Sequence, residues 1–412
     1  MPRSTSAWLK IDELDVDCSV KILHVIPSLA AAHGGPSRAM RLIEQALREQ
    51  GVEVETAATD DDGAGGRNGR PLGVVLAEED AKRRYFRKTT NPYKTSVSFA
   101  RWIFRHARDY ELIHIHALFS FTSTITAWAA RRAGVPCVVR PLGTLSQYGV
   151  SKRRPWLKRL SLALIERKIL RDAAAVHFTS AIEQQEAEAL GLSMRSVIIP
   201  LAVETPTIAN GDALLRRFPE LAGKRYALFL SRLDPKKNVE GLLAAFAACA
   251  AQWPDLRCLI AGVGAPDYVA QLHNLAEQLG IIDRVLWAGH IDGDVKAAAF
   301  ARADVFVLPS FSENFGIAAA EALAAGLPCV LGQGVAIAGE LADAGAALMV
   351  DTDPVSIAAA LNRLLRDAAL RAGMASAARR FARENYSVAA MGLALNRLYS
   401  AVLLQKNAGI AV

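Results

Sequence analysis

Apolar residues fall in short unbroken runs that alternate with amphipathic stretches along most of the chain. Val20 to Leu29 (VKILHVIPSL) is such a run, and it ends in the turn Ala32-His33-Gly34-Gly35-Pro36-Ser37. Leu42, Ile43, Ala46 and Leu47 follow at helical spacing. A short apolar run bounded by turn residues predicts a buried strand, and the 3.6-residue period after it predicts a helix. The same grammar predicts further strands over 52–59, 111–117, 136–140, 173–179 and 197–201, with helices over 94–108, 121–133, 156–171 and 182–190. Strands that alternate with helices imply a parallel sheet covered on both faces.

Residues 204–211 (ETPTIANG) interrupt the periodicity with Pro and small polar residues, and they read as a linker. A second alternation follows, with strands over 226–231, 256–261, 285–288, 305–309 and 328–331 and helices over 239–251, 268–279, 295–301 and 317–325. From Pro354 onward the pattern is helical only. The expected fold class is therefore α/β, with two doubly wound Rossmann-like domains facing a central cleft. Its parts are an N-terminal extension (1–19), a first domain (20–205), a second domain (206–385) and a final helix with its tail (386–412). Ligands of such sheets sit outside the carboxyl ends of the strands, so residues just after each strand are the functional candidates.

Composition narrows the class. A chain of 412 residues is long enough for two or three domains at about 150 residues each. With 52% hydrophobic and 22% charged residues, and only 29 glycines and 17 prolines, it is neither disordered nor low in complexity. No unbroken apolar run approaches the roughly 18 residues that would span a bilayer. The first 19 residues carry Asp12, Glu13, Asp15 and Asp17 where an export signal needs an apolar block, so the expectation is a cytoplasmic protein. Five scattered cysteines form no Cys-x-x-Cys pair and read as small core residues.

The net charge of +7 is unevenly placed. Lys82 to Arg108 holds nine cations and no acid, and Lys152 to Arg171 holds eight cations against Glu166. Together the two segments carry +16, which leaves the remainder at −9. Nucleic acid, an anionic membrane surface or a phosphorylated substrate would suit such patches, as would plain solvated faces. On a helix over 94–108, Arg101, Arg105 and Arg108 would form one stripe opposite Phe99 and Ile103. Lys152, Arg153, Arg154 and Trp156 would extend it as an interfacial patch, which makes a peripheral membrane contact a candidate. No nucleic-acid recognition motif accompanies these cations, so a nucleic-acid partner is not expected.

Three constellations could carry chemistry. Gly34 and Gly35, after the first strand and before a helix with Pro36 at its start, let backbone N–H groups approach an anion. This is neither G-x-G-x-x-G nor a Walker A loop. In the second half, Ser231-Arg232-Leu233-Asp234-Pro235-Lys236-Lys237-Asn238 puts Arg232 and Lys237 at a helix mouth. Cations there oppose the helix dipole unless an anion is bound, so the pair reads as a diphosphate clamp. Third, Glu313-Asn314-Phe315-Gly316 and Glu321 follow the strand over 305–309 with a Glu-x7-Glu spacing. Glu321 lies on an apolar helix, where a carboxylate needs a hydrogen-bonding partner such as a sugar hydroxyl pair. Asp60-Asp61-Asp62 contains a D-x-D spacing, but its Gly-rich surroundings favour a solvated turn, and no metal or other cofactor is expected.

With these motifs in order, and Gly262-Val263-Gly264 between them, the chain resembles the retaining glycosyltransferases of family 4, with GT-B architecture, over about Lys21 to Leu404. The resemblance implies that Arg232 and Lys237 neutralise a donor diphosphate faced by the Gly35 amide. It implies that Glu313 lies beside the donor sugar, with the amides of Asn314, Phe315 and Gly316 near its hydroxyls and phosphate. Glu321 would bind the ribose, the His290-Ile291 strip would touch the nucleobase, and Ser231, Gly262 and Gly264 would complete the donor site. The final helix would brace the first domain. The partners implied are a nucleotide diphosphate sugar and a glycan or lipid-linked acceptor.

Two positions depart from the family pattern. Pro141-Leu142-Gly143 stands where many relatives have Pro-His-Gly, and Gly332-Gln333-Gly334 stands where they often have Gly-Gly. His116, at the end of its strand, is expected to face the cleft and to serve acceptor recognition or to be a satisfied structural His. Competing readings are a nucleotide-sugar 2-epimerase of the same architecture and a non-enzymatic two-domain sugar-binding protein.

Overall fold

The computed structural model describes residues 20–63, 65–145, 155–205 and 212–408, which divide into two compact units. The described residues up to Ala202, with those from Val388 on, form the first unit, and Val203–Ser387 forms the second.

The first unit is built on an eight-stranded sheet. Its strands are β1 (Lys21–Val25), β2 (Glu53–Thr59), β3 (Val75–Glu78), β4 (Ala81–Phe86), β5 (Leu112–His116), β6 (Cys137–Arg140), β7 (Ala175–Phe178) and β8 (Ser196–Ile198). Their order is β3-β4-β2-β1-β5-β6-β7-β8. All neighbours run parallel except β3 and β4. The β3–β4 hairpin was not visible in the apolar pattern. Its turn uses Glu79 and Asp80 at φ 49° and 61°, the double positive φ of a type I′ turn that sequences normally announce with Asn-Gly. Its second strand hides inside the run of cations that begins at Lys82.

That run is not one surface patch. Arg83 is buried and bonds Glu44 at 2.7 Å, Arg84 bonds Glu55 at 2.7 Å, and Lys82 bonds Glu53 at 2.8 Å. Buried Lys88 and half-buried Lys94 both bond Asp61, at 2.8 and 2.6 Å. The helix begins at Val97, not Lys94, and ends at His106, so Arg108 falls in a 3-10 turn. Arg101, Arg105 and Arg108 are exposed, while Phe99 and Ile103 opposite them are fully buried. Lys152, Arg153 and Arg154 lie outside the described residues.

The last helix, Val388–Asn407, packs on Gly35–Glu49 and closes the first unit's core. The continuous helical stretch Ala368–Asn407 is long and apolar enough by composition to cross a bilayer. Its apolar positions Met391, Leu395, Leu398 and Val402 are buried against Ile43, Ala46 and Leu47 in the same core. The two helices meet so closely that a Cβ on Gly392 would lie 2.6 Å from the Ala46 carbonyl oxygen.

The second unit carries β9 (Arg225–Leu230), β10 (Leu256–Ala261), β11 (Val285–Gly289), β12 (Val305–Leu308), β13 (Cys329–Gly332) and β14 (Ala347–Val350). They form one parallel sheet in the order β11-β10-β9-β12-β13-β14. The order reverses at β9 and β12, the switch point outside which such sheets bind ligands. Helices Pro354–Arg366 and Ala368–Asn385 complete the unit.

The helix contact makes a direct test. Gly392→Ala is expected to lower the melting temperature, since overpacking costs about 1–3 kcal/mol. Gly373→Ala, on a helix with nothing within 4 Å of the added carbon, is expected to raise it through helix propensity. Equal shifts in thermal denaturation would show that the Gly392 contact is not tight.

Candidate active site

The motif residues of the second unit lie in loops at the carboxyl ends of its strands, and backbone contacts lock those loops together. After β9, Ser231 N–H donates to Ala261 O at 3.1 Å and Leu233 N–H to Val263 O at 2.9 Å. These bonds press the Arg232 loop against Gly262 and Gly264. A Cβ at either glycine would sit 1.8 Å from Ser231 O or 2.4 Å from Leu233 O. The two glycines therefore permit a close approach of backbones, a role that their spacing alone did not reveal. Asp234 caps the 3-10 turn Pro235–Lys237, and Asn238 follows at φ 56°. The Asn238 amide donates to Pro309 O at 3.2 Å and to Thr352 O at 2.7 Å, which ties the loop to the ends of β12 and β14.

This scaffold buries the Lys237 side chain and pairs its ammonium with the Glu313 carboxylate, while Arg232 stays exposed. Burial, then the charges of Lys236 and Arg232, push Lys237 down to about 7. The Glu313 backbone is held from the other side, with its N–H on Gly334 O at 2.8 Å and its carbonyl accepting from Ala336 N at 3.1 Å. Gly334 allows this, since a Cβ there would lie 2.3 Å from Phe311 O. The Gly332-Gln333-Gly334 departure thus has a local reason. Gly316, at φ 91°, starts Ile317–Ala325 without a side-chain cap, and Phe315 is buried with its ring edge-on to Tyr386. Asn314 is half-buried in the same loop. An uncapped helix mouth beside two cations favours an anion.

Glu321 differs from expectation. Its carboxylate is buried, as the apolar helix predicted, but it already bonds Lys296 at 2.8 Å. The sequence reading missed Lys296, which comes from the helix Gly293–Arg302, and also Ser310, whose buried hydroxyl has no partner among the described residues. Neither lies in a motif; burial is the only signal. His290 is exposed and Ile291 buried after β11, where Arg217 holds the Ala288 carbonyl at 2.8 Å.

In the first unit, Gly34 takes φ 64° and Gly35 opens the helix Gly35–Glu49, again without a side-chain cap. His116 does not present itself to a ligand. It is fully buried in a polar layer on one sheet face, where strand register aligns Thr56, His24 and His114 in one row. His116 and Arg140 share the next row. His24 Nδ1 and His116 Nε2 share a hydrogen bond at 2.9 Å, and Tyr399 Oη meets His114 Nδ1 at 2.7 Å and His24 Nε2 at 3.3 Å. Burial, then His24, Arg140 and His177, hold His116 well below the usual imidazole range. The ring nitrogens of His24, His114 and His116 fall within 4.8 Å of one another, a spacing a metal ion could use. The buried Arg140 cation in register with them opposes a second positive charge there.

The Asp60-Asp61-Asp62 run is structural at two of its positions: Asp61 takes Lys88, Lys94 and His33, and Asp60 accepts from the Lys88 amide at 2.6 Å. Backbone strain marks the carboxyl ends of β5 and β6, where Ala117, Phe119 and Leu142 have φ of 83°, 54° and 58°. Glu166, unnoticed in the sequence except as a charge, closes a π-turn beside them, accepts from Phe119 N at 3.1 Å and is raised by burial to about 7.

Residues 34–202 match the family model of the glycosyl transferase 4-like domain, and residues 213–381 that of the glycosyl transferases group 1. The chain is 37% identical over 230 residues to the phosphatidyl-myo-inositol mannosyltransferase of Mycolicibacterium smegmatis, a stretch covering 55% of each, so it spans about half of that relative. It is 32% identical over 292 residues to the Mycobacterium leprae protein of the same description, covering 66% of this chain and 70% of that one. Among solved structures, HepE of Anabaena in complex with UDP superposes with a TM-score of 0.75 at 21% identity, covering 93% of this chain and all of that one, a likeness of fold.

The depressed Lys237 yields a pH signature. An anion binds the charged ammonium, so above pH 7 binding must take up a proton, and affinity falls by up to about tenfold per pH unit. Calorimetry with UDP and GDP between pH 7.5 and 9, where the terminal phosphate is already fully ionised, should show this loss. Lys237→Arg, whose charge is fixed, should flatten it. A flat wild-type profile would remove Lys237 from the anion site.

Proposed function

This chain belongs to the family 4 glycosyltransferases of GT-B architecture, and on that footing we propose that it moves a hexose-type sugar from a nucleotide diphosphate donor to a hydroxyl of a glycan or lipid-linked acceptor. The observation that carries the reading is the pair of cations at the carboxyl end of β9, Arg232 exposed and Lys237 buried beside Glu313. A buried ammonium with a single salt-bridge partner is costly, and a diphosphate would favour its charged form. Charge developing on the leaving diphosphate is then met by Arg232, Lys237 and the amides at the uncapped helix mouth at Gly316. Neutralisation is assigned to these groups rather than to a metal ion.

Glu313 is assigned to the donor sugar, held there by its backbone bonds and by Lys237. Glu321, with Lys296 as its inner partner, is assigned to the ribose, and His290 with Ile291 to the base. No carboxylate is assigned as a covalent nucleophile, so the reading is retention by same-face attack, with a donor phosphate oxygen taking the acceptor's proton. Relatives described as phosphatidyl-myo-inositol mannosyltransferases support a lipid-linked acceptor. The exposed Arg101, Arg105 and Arg108 are a candidate contact with an anionic membrane surface.

Arg232→Ala removes an exposed side chain, so the fold should survive while turnover drops at least tenfold, the value of one charge-assisted contact of about 1.5–3 kcal/mol. Wild-type turnover would sink the donor-site assignment. Glu313→Gln should lower the chemical rate with nucleotide affinity nearly intact, whereas Glu321→Ala should weaken nucleotide binding itself. Equal loss of UDP or GDP affinity in both, by calorimetry, would erase that distinction.

A further inference from the structure

The helical segment that runs from Pro155–Ser161 through the π-turn Leu162–Glu166 to Arg167–Asp172 turns apolar residues outward. Trp156, Leu160 and Leu164 are 67%, 50% and 68% exposed, while Glu166, Ile169 and Leu170 face the core. Residues four apart drift by about 40° on an ideal α-helix, so a stripe at this spacing would wind around the axis. The extra residue of the π-turn takes back part of that drift and keeps Leu164 and Lys168 in line with Trp156 and Leu160. Exposed Arg159, Arg167, Lys168 and Arg171 flank the stripe. The one exposed acid in the segment, Asp172, is bonded to Arg131 and Arg171.

At the far end of the stripe a cavity of about 420 Å³ opens beside Lys168, with Trp128 and Lys406 on its walls and Cys137 and Ile169 among its apolar lining. It lies at the amino end of β6, away from the strained turns at the carboxyl end of β5 and β6. Lys168 and Lys406 have no ion pair among the described residues. At the near end, Lys158 lies 5.7 Å from the Phe119 ring, so the stripe begins beside one of those strained turns.

We infer that this face docks the first unit on an anionic phospholipid bilayer, with Trp156, Leu160 and Leu164 entering the interface and a lipid phosphate seated between Lys168 and Lys406. A contiguous exposed apolar ridge marks a contact surface, and a rim of cations around it with a single neutralised acid is complementary to anionic headgroups. The indole of Trp156 suits the interface through its apolar body and polar N–H. The inference rests on the lipid-linked acceptor reading and deepens it: docking would lay the carboxyl-end turns of β5 and β6 next to the membrane that holds the acceptor.

The test uses the full chain and vesicles of phosphatidylglycerol or phosphatidylcholine at low salt, read by co-sedimentation. Wild type should bind the phosphatidylglycerol vesicles at least tenfold more tightly than phosphatidylcholine. Trp156→Ala/Leu160→Ala/Leu164→Ala and Lys168→Glu/Lys406→Glu should each weaken that binding at least tenfold, with UDP or GDP affinity unchanged as proof of fold. A readout on a conservative variant adds to this: quenching of wild-type tryptophan fluorescence by brominated phosphatidylglycerol should fall sharply in Trp156→Phe. The inference is overturned if wild type ignores the anionic vesicles or if either set of substitutions binds them like wild type. It is also overturned if Lys168→Glu/Lys406→Glu loses only inorganic phosphate, which would make the cavity a site for a soluble anion. Vesicle binding without any nucleotide binding would instead break the transferase reading and leave the docking face standing.

Discussion

A lysine ammonium placed inside the second unit is the constraint on which the candidate donor site depends. Lys237 is buried because the loop that carries it is tied on both sides, to the end of β10 through Ser231 and Leu233 and to the ends of β12 and β14 through Asn238. The energy of such a charge is set by what faces it, and here that is the Glu313 carboxylate, with the Asp234 carboxylate and two further cations close by. The environment is thus short of negative charge. A diphosphate would supply it, which is how a local electrostatic deficit points to the proposed class of substrate.

The loops can come this close only because several positions have no side chain. Gly262, Gly264 and Gly334 each face a carbonyl oxygen at a distance no Cβ tolerates, and together they let four strand ends converge on Lys237 and Glu313. The same device, Gly392 against Ala46, seats the last helix in the first unit. Tight backbone packing leaves little room for rotamer adjustment, so the geometry of the charged pair is preorganised before any ligand arrives.

Charge in the first unit is used in two ways. Arg83, Arg84, Lys88 and Lys94 are consumed by acids from a neighbouring helix, strand and loop, which makes them part of the scaffold, whereas Arg159, Arg167 and Lys168 stand exposed around an apolar ridge. Equal runs of cations in the sequence therefore end with different physical roles. The partner of each charge decides which role it has.

Local sequence determined most of the strand and helix alternation and the loops of the candidate donor site, because a period of 2 or 3.6 and a turn at Gly or Pro are properties of adjacent residues. The order of Arg232, Lys237, Glu313 and Glu321 was legible for the same reason, since each follows a strand whose carboxyl end is functional in this fold class. Tertiary structure alone decided what each charge and glycine meets. It hid His116 in a layer built from four strands and a helix, gave Glu321 the partner Lys296 from a different helix, and turned Lys82–Phe86 into a strand stitched by ion pairs to Glu44, Glu53 and Glu55. It also turned Trp156, Leu160 and Leu164 outward, which no periodicity over a π-turn could foretell. Contacts between residues distant in sequence depend on the packing of whole elements, and that packing is a property of the folded chain.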